Sequence, residues 1–312
     1  MGSCFVRNFV DNSFEGIERI TIIDKLTYAG SLSNLSNFPM DRLDFYQGDI
    51  CDSKVVRNLL FDIDAVVNFA AETHVDRSIL NSNDFIQTNI VGVQVLLDAI
   101  HSSGRDIRFL QVSTDEVYGS IQEGSWKEDM PLQPNSPYSA SKACGELLTR
   151  AANKTHALDI VITRSSNNYG PYQFPEKLIP KFIANLLEGK KLSIYGSGTN
   201  IRDWIHVDDH CNGIYEVLMK GKSGSIYNIG GGTELTNLEL TRLLLDIFAA
   251  DESVIEYVQD RKGHDFRYSL DWTKINQELG YEPRIEFKEG LRSTVQWYRD
   301  NQEWWKPRMT HY

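Results

Sequence analysis

Two short stretches of this sequence carry residues able to do chemistry together. Tyr138-Ser139-Ala140-Ser141-Lys142 sets a phenol and an ammonium four residues apart, which puts both on one face of a helix. A cation beside the phenol favours the phenolate and pulls an ordinary pKa of about 10 toward the working range. Such a tyrosine accepts a hydroxyl proton while the carbon bearing that hydroxyl is oxidised. Ser113-Thr114 ends the apolar run before this helix, where a second hydroxyl can bond the same substrate oxygen, and Asp115-Glu116 follows at once. Adjacent carboxyls offer an acid and a base, because like charges side by side help keep one of them protonated.

A parallel sheet is the element expected to position these groups. Short β-branched runs at 20–23, 43–46, 65–69, 109–113 and 160–163 alternate with helical stretches, as in a sheet covered on both faces. Ile86, Ile90, Val93 and Leu97 recur at helical intervals and predict a long helix over 85–100; a second is predicted over 138–152. The fold class is therefore α/β, a doubly wound parallel sheet of Rossmann type whose ligands bind beyond the carboxyl ends of the strands. Past Asn167 the chain turns to loops such as Tyr169-Gly170-Pro171 and Tyr195-Gly196-Ser197-Gly198, with isolated elements such as a helix over 236–248. This predicts a smaller C-terminal lobe, with domains at 1–166 and 167–312 interleaved around 204–230.

Dinucleotide binding is signalled in fragments. Gly2-Ser3 before a helical stretch resembles the last glycine of a nucleotide-binding turn, and Asp24 ends the next run where an acid should meet ribose hydroxyls. Asp49-Ile50 and Ala70-Ala71-Glu72 close the following two runs, with small side chains where a flat cofactor needs close approach. An acid at Asp24 repels a 2′-phosphate, so NAD is expected over NADP. The first strand and most of its glycine turn would precede Gly2. The sheet is accordingly expected to be N-terminally truncated, without its central strand and the amides that hold a pyrophosphate.

Four segments resemble the dTDP-glucose 4,6-dehydratases, which belong to the extended short-chain dehydrogenases. They are Ser113-Thr114-Asp115-Glu116-Val117-Tyr118-Gly119, Asp24-Lys25-Leu26-Thr27-Tyr28-Ala29-Gly30, Glu72-Thr73-His74-Val75-Asp76-Arg77-Ser78 and Ser166-Asn167-Asn168-Tyr169-Gly170-Pro171. The likeness runs from Gly2 to about Trp305, and the Asp-Glu pair discriminates, since epimerases and decarboxylases of this fold do not need two extra carboxyls there. The resemblance implies Thr114, Asp115, Glu116, Tyr138 and Lys142 as the catalytic set, with Glu116 as base at sugar C-5 and Asp115 as acid at C-6. It implies cofactor contacts at Gly2, Asp24, Lys25, Leu26, Thr27, Asp49, Ile50, Phe69, Ala70, Ala71, Thr88, Tyr138, Lys142 and Asn168. Substrate contacts are implied at Thr73, Thr114, Asn167, Lys177, Leu178, Ile194, Tyr195, Arg202, Asn228, Arg261 and His264. Arg202 and Arg261 suit a diphosphate. The resemblance further implies a dTDP-hexose substrate and a homodimer whose helices around 85–100 and 138–152 pair into a four-helix bundle. Two alternatives stay open at this level, another nucleotide-sugar epimerase or decarboxylase, and a binding remnant without turnover.

Bulk composition narrows the setting. The 312 residues carry a formal charge of -11, which argues against nucleic acid, whose partners cluster Lys and Arg. No apolar run approaches the roughly 20 residues of a membrane span, and no secretory pattern opens the chain, so a cytoplasmic address is expected. Cys4, Cys51, Cys144 and Cys211 are scattered without a C-x-x-C pair, so reduced, mostly buried thiols are expected. Val6 stands where N-myristoylation needs Ser or Thr. His206 and His210 lie at i and i+4 without a third ligand in view, and no metal is expected.

Overall fold

A computed structural model describes residues 1–11, 13–35, 42–261 and 263–311. Parallel strands form where the β-branched runs predict them: β1 (Ile20–Asp24), β2 (Leu43–Gln47), β3 (Ala65–Asn68), β4 (Arg108–Thr114) and β5 (Ile160–Ser165). Six more follow: β6 (Asn167–Tyr169), β7 (Leu192–Tyr195), β8 (Ile201–His206), β9 (Ile226–Ile229), β10 (Thr233–Thr236) and β11 (Ile255–Val258). β3-β4-β5-β9 is a four-stranded parallel sheet, and β1-β2 is a separate parallel pair. Among the described residues, β1 is hydrogen-bonded to β2 alone and β3 to β4 alone.

The later part of the chain builds its own small sheets, β10-β8-β6 and β11-β7. It also returns β9 to the edge of the main sheet, where Ile226 to Ile229 register with Ile162 to Ser165. Two of the four apolar clusters among the described residues show how the later segments pack. One joins Phe5, Val6 and Phe9 of helix Gly2–Val10 to Leu110, Val112 and Val161 of the sheet and to helix Val207–Lys220. The other gathers Ile179, Phe182, Leu240, Leu244, Val295 and Trp305. Each fully buried side chain of this kind contributes about 1.5–3 kcal/mol. The Trp304-Trp305 pair is thus packing, with Trp305 wholly buried and Trp304 against Tyr172 and Trp297.

The two helices predicted to flank the site differ in regularity. Pro137–His156 is one unbroken helix, started by Pro137 and by a capping box in which Ser136 and Ser139 each satisfy the other's backbone amide. The helix predicted over 85–100 is instead three segments: Asn83–Ile86, a π-helical turn Gln87–Gly92, and Val93–Ser103. Such turns cluster at functional sites. Here the wide turn lets Gly145 of the neighbouring helix ride against the Asn89 carbonyl, which a Cβ would meet at 2.7 Å. Cys4 and Cys211 are buried, but Cys51 is half-buried and Cys144 exposed, so the expectation of mostly buried thiols holds for half of them. Among the described residues no helix is long and apolar enough to cross a membrane.

Candidate active site

β4 delivers the first catalytic candidates. It ends at Thr114, whose hydroxyl caps the 3₁₀ turn Asp115–Tyr118 by accepting from the Glu116 amide at 3.3 Å, and donates to Asp115 Oδ1 at 3.2 Å. Gly119 closes the turn in the left-handed region, at φ 79, where a Cβ would strike the carbonyl of Gln133. The acid pair is thereby fixed at the carboxyl edge of the sheet. Tyr138 and Lys142 enter from helix Pro137–His156, and the Tyr138 amide donates to Ser78 Oγ at 3.2 Å.

Electrostatics separates the two carboxyls. Burial raises both, but Asp115 is pushed up further by Glu116 and by Asp203, and sits well above the usual carboxylate range. Burial also raises Glu116, yet the charges of Arg202, Lys177 and Arg261 act against it. Asp115 is therefore the group that keeps its proton, and Glu116 the one that loses it more readily. The phenol behaves differently from the sequence expectation. Burial and the charges at Glu116 and Asp115 push Tyr138 up, with only the Thr114 hydrogen bond pulling down. Lys142 does not reverse this, because its Nζ donates to the Val112 carbonyl at 2.7 Å and burial lowers it to about 8. Burial thus raises the phenol, where the four-residue spacing to Lys142 suggested a lowering.

Behind Lys142 lies a fully buried ion pair, Arg164 Nη2 to Glu146 Oε2 at 2.6 Å, with Tyr118 OH 2.6 Å from Arg164 Nη1. Losing one member would strand a buried charge at a cost of about 3–5 kcal/mol. Asn89 was not anticipated from sequence. Its side chain accepts from the Glu72 amide at 3.0 Å and donates to the Glu72 carbonyl at 3.0 Å and to Ser141 Oγ at 2.8 Å. It ties the loop after β3 to the Tyr138 helix. A signal existed, since Asn89 lies in register with Val93 on the apolar face of its helix.

Of the expected cofactor residues, Asp24 to Thr27, Asp49 and Ile50, and Phe69 to Ala71 lie at the carboxyl ends of β1, β2 and β3. Lys25, Thr27, Asp49 and Thr88 line one cleft of about 610 Å³ together with Glu72, Phe85 and Gln87. Asp24 accepts from the Leu26 amide at 2.7 Å, which holds Leu26 left-handed at φ 55, and Lys25 pairs with Asp49 at 2.7 Å. Ile50 packs under Gly92, Ala70 is hydrogen-bonded to Asn68, and Gly2 rests on the Phe69 ring. Asn168 Oδ1 lies 2.8 Å from the buried His210 Nδ1. His206 caps its own helix through the Asp208 amide.

The expected substrate residues divide by availability. Among the described residues, Arg261 Nε, His264 Nε2 and Asn167 Oδ1 are buried atoms without a hydrogen-bond partner. Arg261 lies over the Tyr195 ring and 3.5 Å from Asp76, and Tyr195 OH also reaches Asp76. Lys177 Nζ donates to the Thr73 carbonyl at 2.8 Å, while Leu178 opens its helix and Ile194 is buried in β7. Arg202 is held by the carbonyls of Ile201, Asp265 and Phe266, so its guanidinium is anchored, not loose. Asn228 is turned to the frame. Its amide nitrogen donates to the Trp126 and Asp271 carbonyls, and its oxygen accepts from Tyr118.

Comparison with known proteins places this geometry. Residues 1–294 match the family described as GDP-mannose 4,6 dehydratase. The chain is 53% identical to a dTDP-glucose 4,6-dehydratase of Streptomyces antibioticus, over 98% of this chain and 92% of that protein. It superposes with a TM-score of 0.97 on DesIV, the dTDP-glucose 4,6-dehydratase of Streptomyces venezuelae crystallised with NAD and TYD bound, at 53% identity over 98% of this chain and 96% of the other. A UDP-glucuronic acid 4-epimerase from Bacillus cereus shares the fold at a TM-score of 0.88 but only 28% identity, covering 96% of each chain. On these likenesses the chain belongs to the GDP-mannose 4,6 dehydratase family, among its dTDP-glucose 4,6-dehydratases.

Proposed function

We propose that this protein is an NAD-dependent dTDP-glucose 4,6-dehydratase, forming dTDP-4-keto-6-deoxy-D-glucose from dTDP-D-glucose. The observation that carries it is the pair of unequal carboxyls, Asp115 held protonated and Glu116 opposed by three cations, at the strand end beside Tyr138. An epimerase has no use for such a pair. The residues present fit NAD, given a cleft lined by Lys25, Thr27, Asp49 and Thr88, with Asp24 ending β1 immediately before Lys25. NAD held there would supply reversible hydride chemistry, an oxidation at the sugar's C-4 and a matching reduction at C-6.

The chain's own groups do the rest. Tyr138 accepts the C-4 hydroxyl proton, with Thr114 hydrogen-bonding the same oxygen. Once C-4 is a ketone the C-5 proton is acidic, and Glu116 removes it. Asp115 then gives its proton to the departing C-6 hydroxyl, which leaves as water. Arg261 and His264, with their unpartnered buried nitrogens, receive the diphosphate. Incubating the protein with dTDP-glucose and NAD should give the 4-keto-6-deoxy sugar, read by its absorbance in base; a C-4 epimer without deoxy product would overturn the reading.

A homodimer belongs to the same proposal. Ile79, Leu80, Ile86, Val91 and Leu147 are large apolar side chains left exposed on the helices around the predicted four-helix seam. Sedimentation at micromolar concentration should report twice the chain mass, and charged residues at Ile86 and Leu147 should return it to the monomer.

A further inference from the structure

Glu176 is a nearly buried carboxylate at the meeting point of three segments distant in sequence. Its Oε1 accepts from Tyr28 OH at 2.9 Å, and its Oε2 lies 3.5 Å from Arg77 Nε and 3.8 Å from His74 Nε2. The Arg77 guanidinium covers the Tyr28 ring at 3.9 Å, and Phe174 meets the same ring edge-on. Burial lowers His74, so Arg77 is the cation that balances Glu176. Tyr28 and Arg77 also line the cleft assigned to NAD, whereas Glu176 lies outside its lining and takes no part in the chemistry above.

Its neighbours along the chain give it meaning. Tyr28 is two residues from Leu26, whose left-handed turn is held by Asp24 on the cofactor side. Lys177, adjacent to Glu176, reaches the carbonyl of Thr73, and both belong to the expected sugar-nucleotide pocket. His74, on the same loop as Thr73, accepts from the Arg77 amide at 3.4 Å and so sets the entry of helix Val75–Leu80. The line Asp24, Leu26, Tyr28, Glu176, Lys177, Thr73 is a continuous chain of bonds and hydrogen bonds between the two ligand sites.

We infer that Glu176 is a positioning residue that couples the cofactor-side loop to the sugar-nucleotide pocket, so that each ligand strengthens binding of the other. This rests on the assignment of those two pockets under the proposed function. A ligand ordering the Asp24 turn fixes Tyr28, Tyr28 fixes the Glu176 carboxylate, and the backbone then places Lys177. A carboxylate acting only as buried glue would lower stability without linking the two ligands.

Calorimetric titration with dTDP, at saturating NAD and without NAD, separates these roles. Wild-type protein should bind dTDP about tenfold more tightly with NAD present. Glu176→Gln keeps the shape and removes the charge, and should reduce that ratio to within about twofold of unity while dTDP still binds. Tyr28→Phe removes one hydroxyl at the far end of the link and should do the same, which keeps the test open should the Gln variant fold poorly. Full coupling in a folded variant, or none in a wild type that binds both ligands, overturns the inference. A wild type that binds no dTDP at all overturns the proposed function instead, and this inference with it.

Discussion

Replacing Glu116 by Gln should cut turnover of dTDP-glucose by about 10²–10⁴, the range for loss of a positioned general base, while leaving oxidation at C-4 intact. The physical reason is the division of labour at the strand end. Glu116 carries the carboxylate opposed by Arg202, Lys177 and Arg261, so it is the group poised to take a proton, and Gln cannot. Tyr138, Thr114 and Lys142 are untouched by the change. Mixing the variant with substrate should therefore raise the absorbance of reduced nicotinamide, which then persists. Solvent deuterium should not enter C-5 of recovered sugar. Deuterium exchange at C-5 in this variant at the wild-type rate would mean that another group is the base.

Tyr138→Phe should produce a loss of similar size, about 10²–10⁴, at the opposite point of the sequence. The phenol is buried and raised by its surroundings, so its ionised form is a strong base for the C-4 hydroxyl proton. Without the hydroxyl the ring at 138 can take no proton, and Lys142, bound to the Val112 carbonyl, cannot reach forward without breaking that bond. Neither nicotinamide absorbance nor C-5 exchange should appear. Normal absorbance here, with none in Glu116→Gln, would reverse the two roles.

Much of the frame that produces these effects was readable from local pattern alone. The five β-branched runs became β1 to β5 because their residue types favour a sheet buried on both faces, whatever follows them. The helix carrying Tyr138 and Lys142 was equally legible, since its start is written in four consecutive residues, Ser136 to Ser139, of which the two serines cap each other and Pro137 opens the first turn. Acid and base candidates stood side by side in one turn. What could not be read was anything set by burial or by a partner far along the chain. Asp115 and Glu116, both raised by burial, differ in acidity because Glu116 and Asp203 push Asp115 up further against Arg202 and the Thr114 hydrogen bond, while Arg202, Lys177 and Arg261 together act against the rise of Glu116, and Asp203 and all three cations come from segments over 60 residues away in the sequence. Tyr138 is raised because packing removes water from it and turns Lys142 toward a backbone carbonyl, where four-residue spacing suggested a direct pair. Asn89, Glu176 and Asn228 received their roles in the same way, from hydrogen bonds that join elements 17 to 148 residues apart. Propensity and periodicity act over a few residues, so the sequence by itself determined which groups sit at which strand end. Desolvation and charge act through space, so only the folded chain decided which of those groups holds a proton, which one is anchored, and which one faces the pocket.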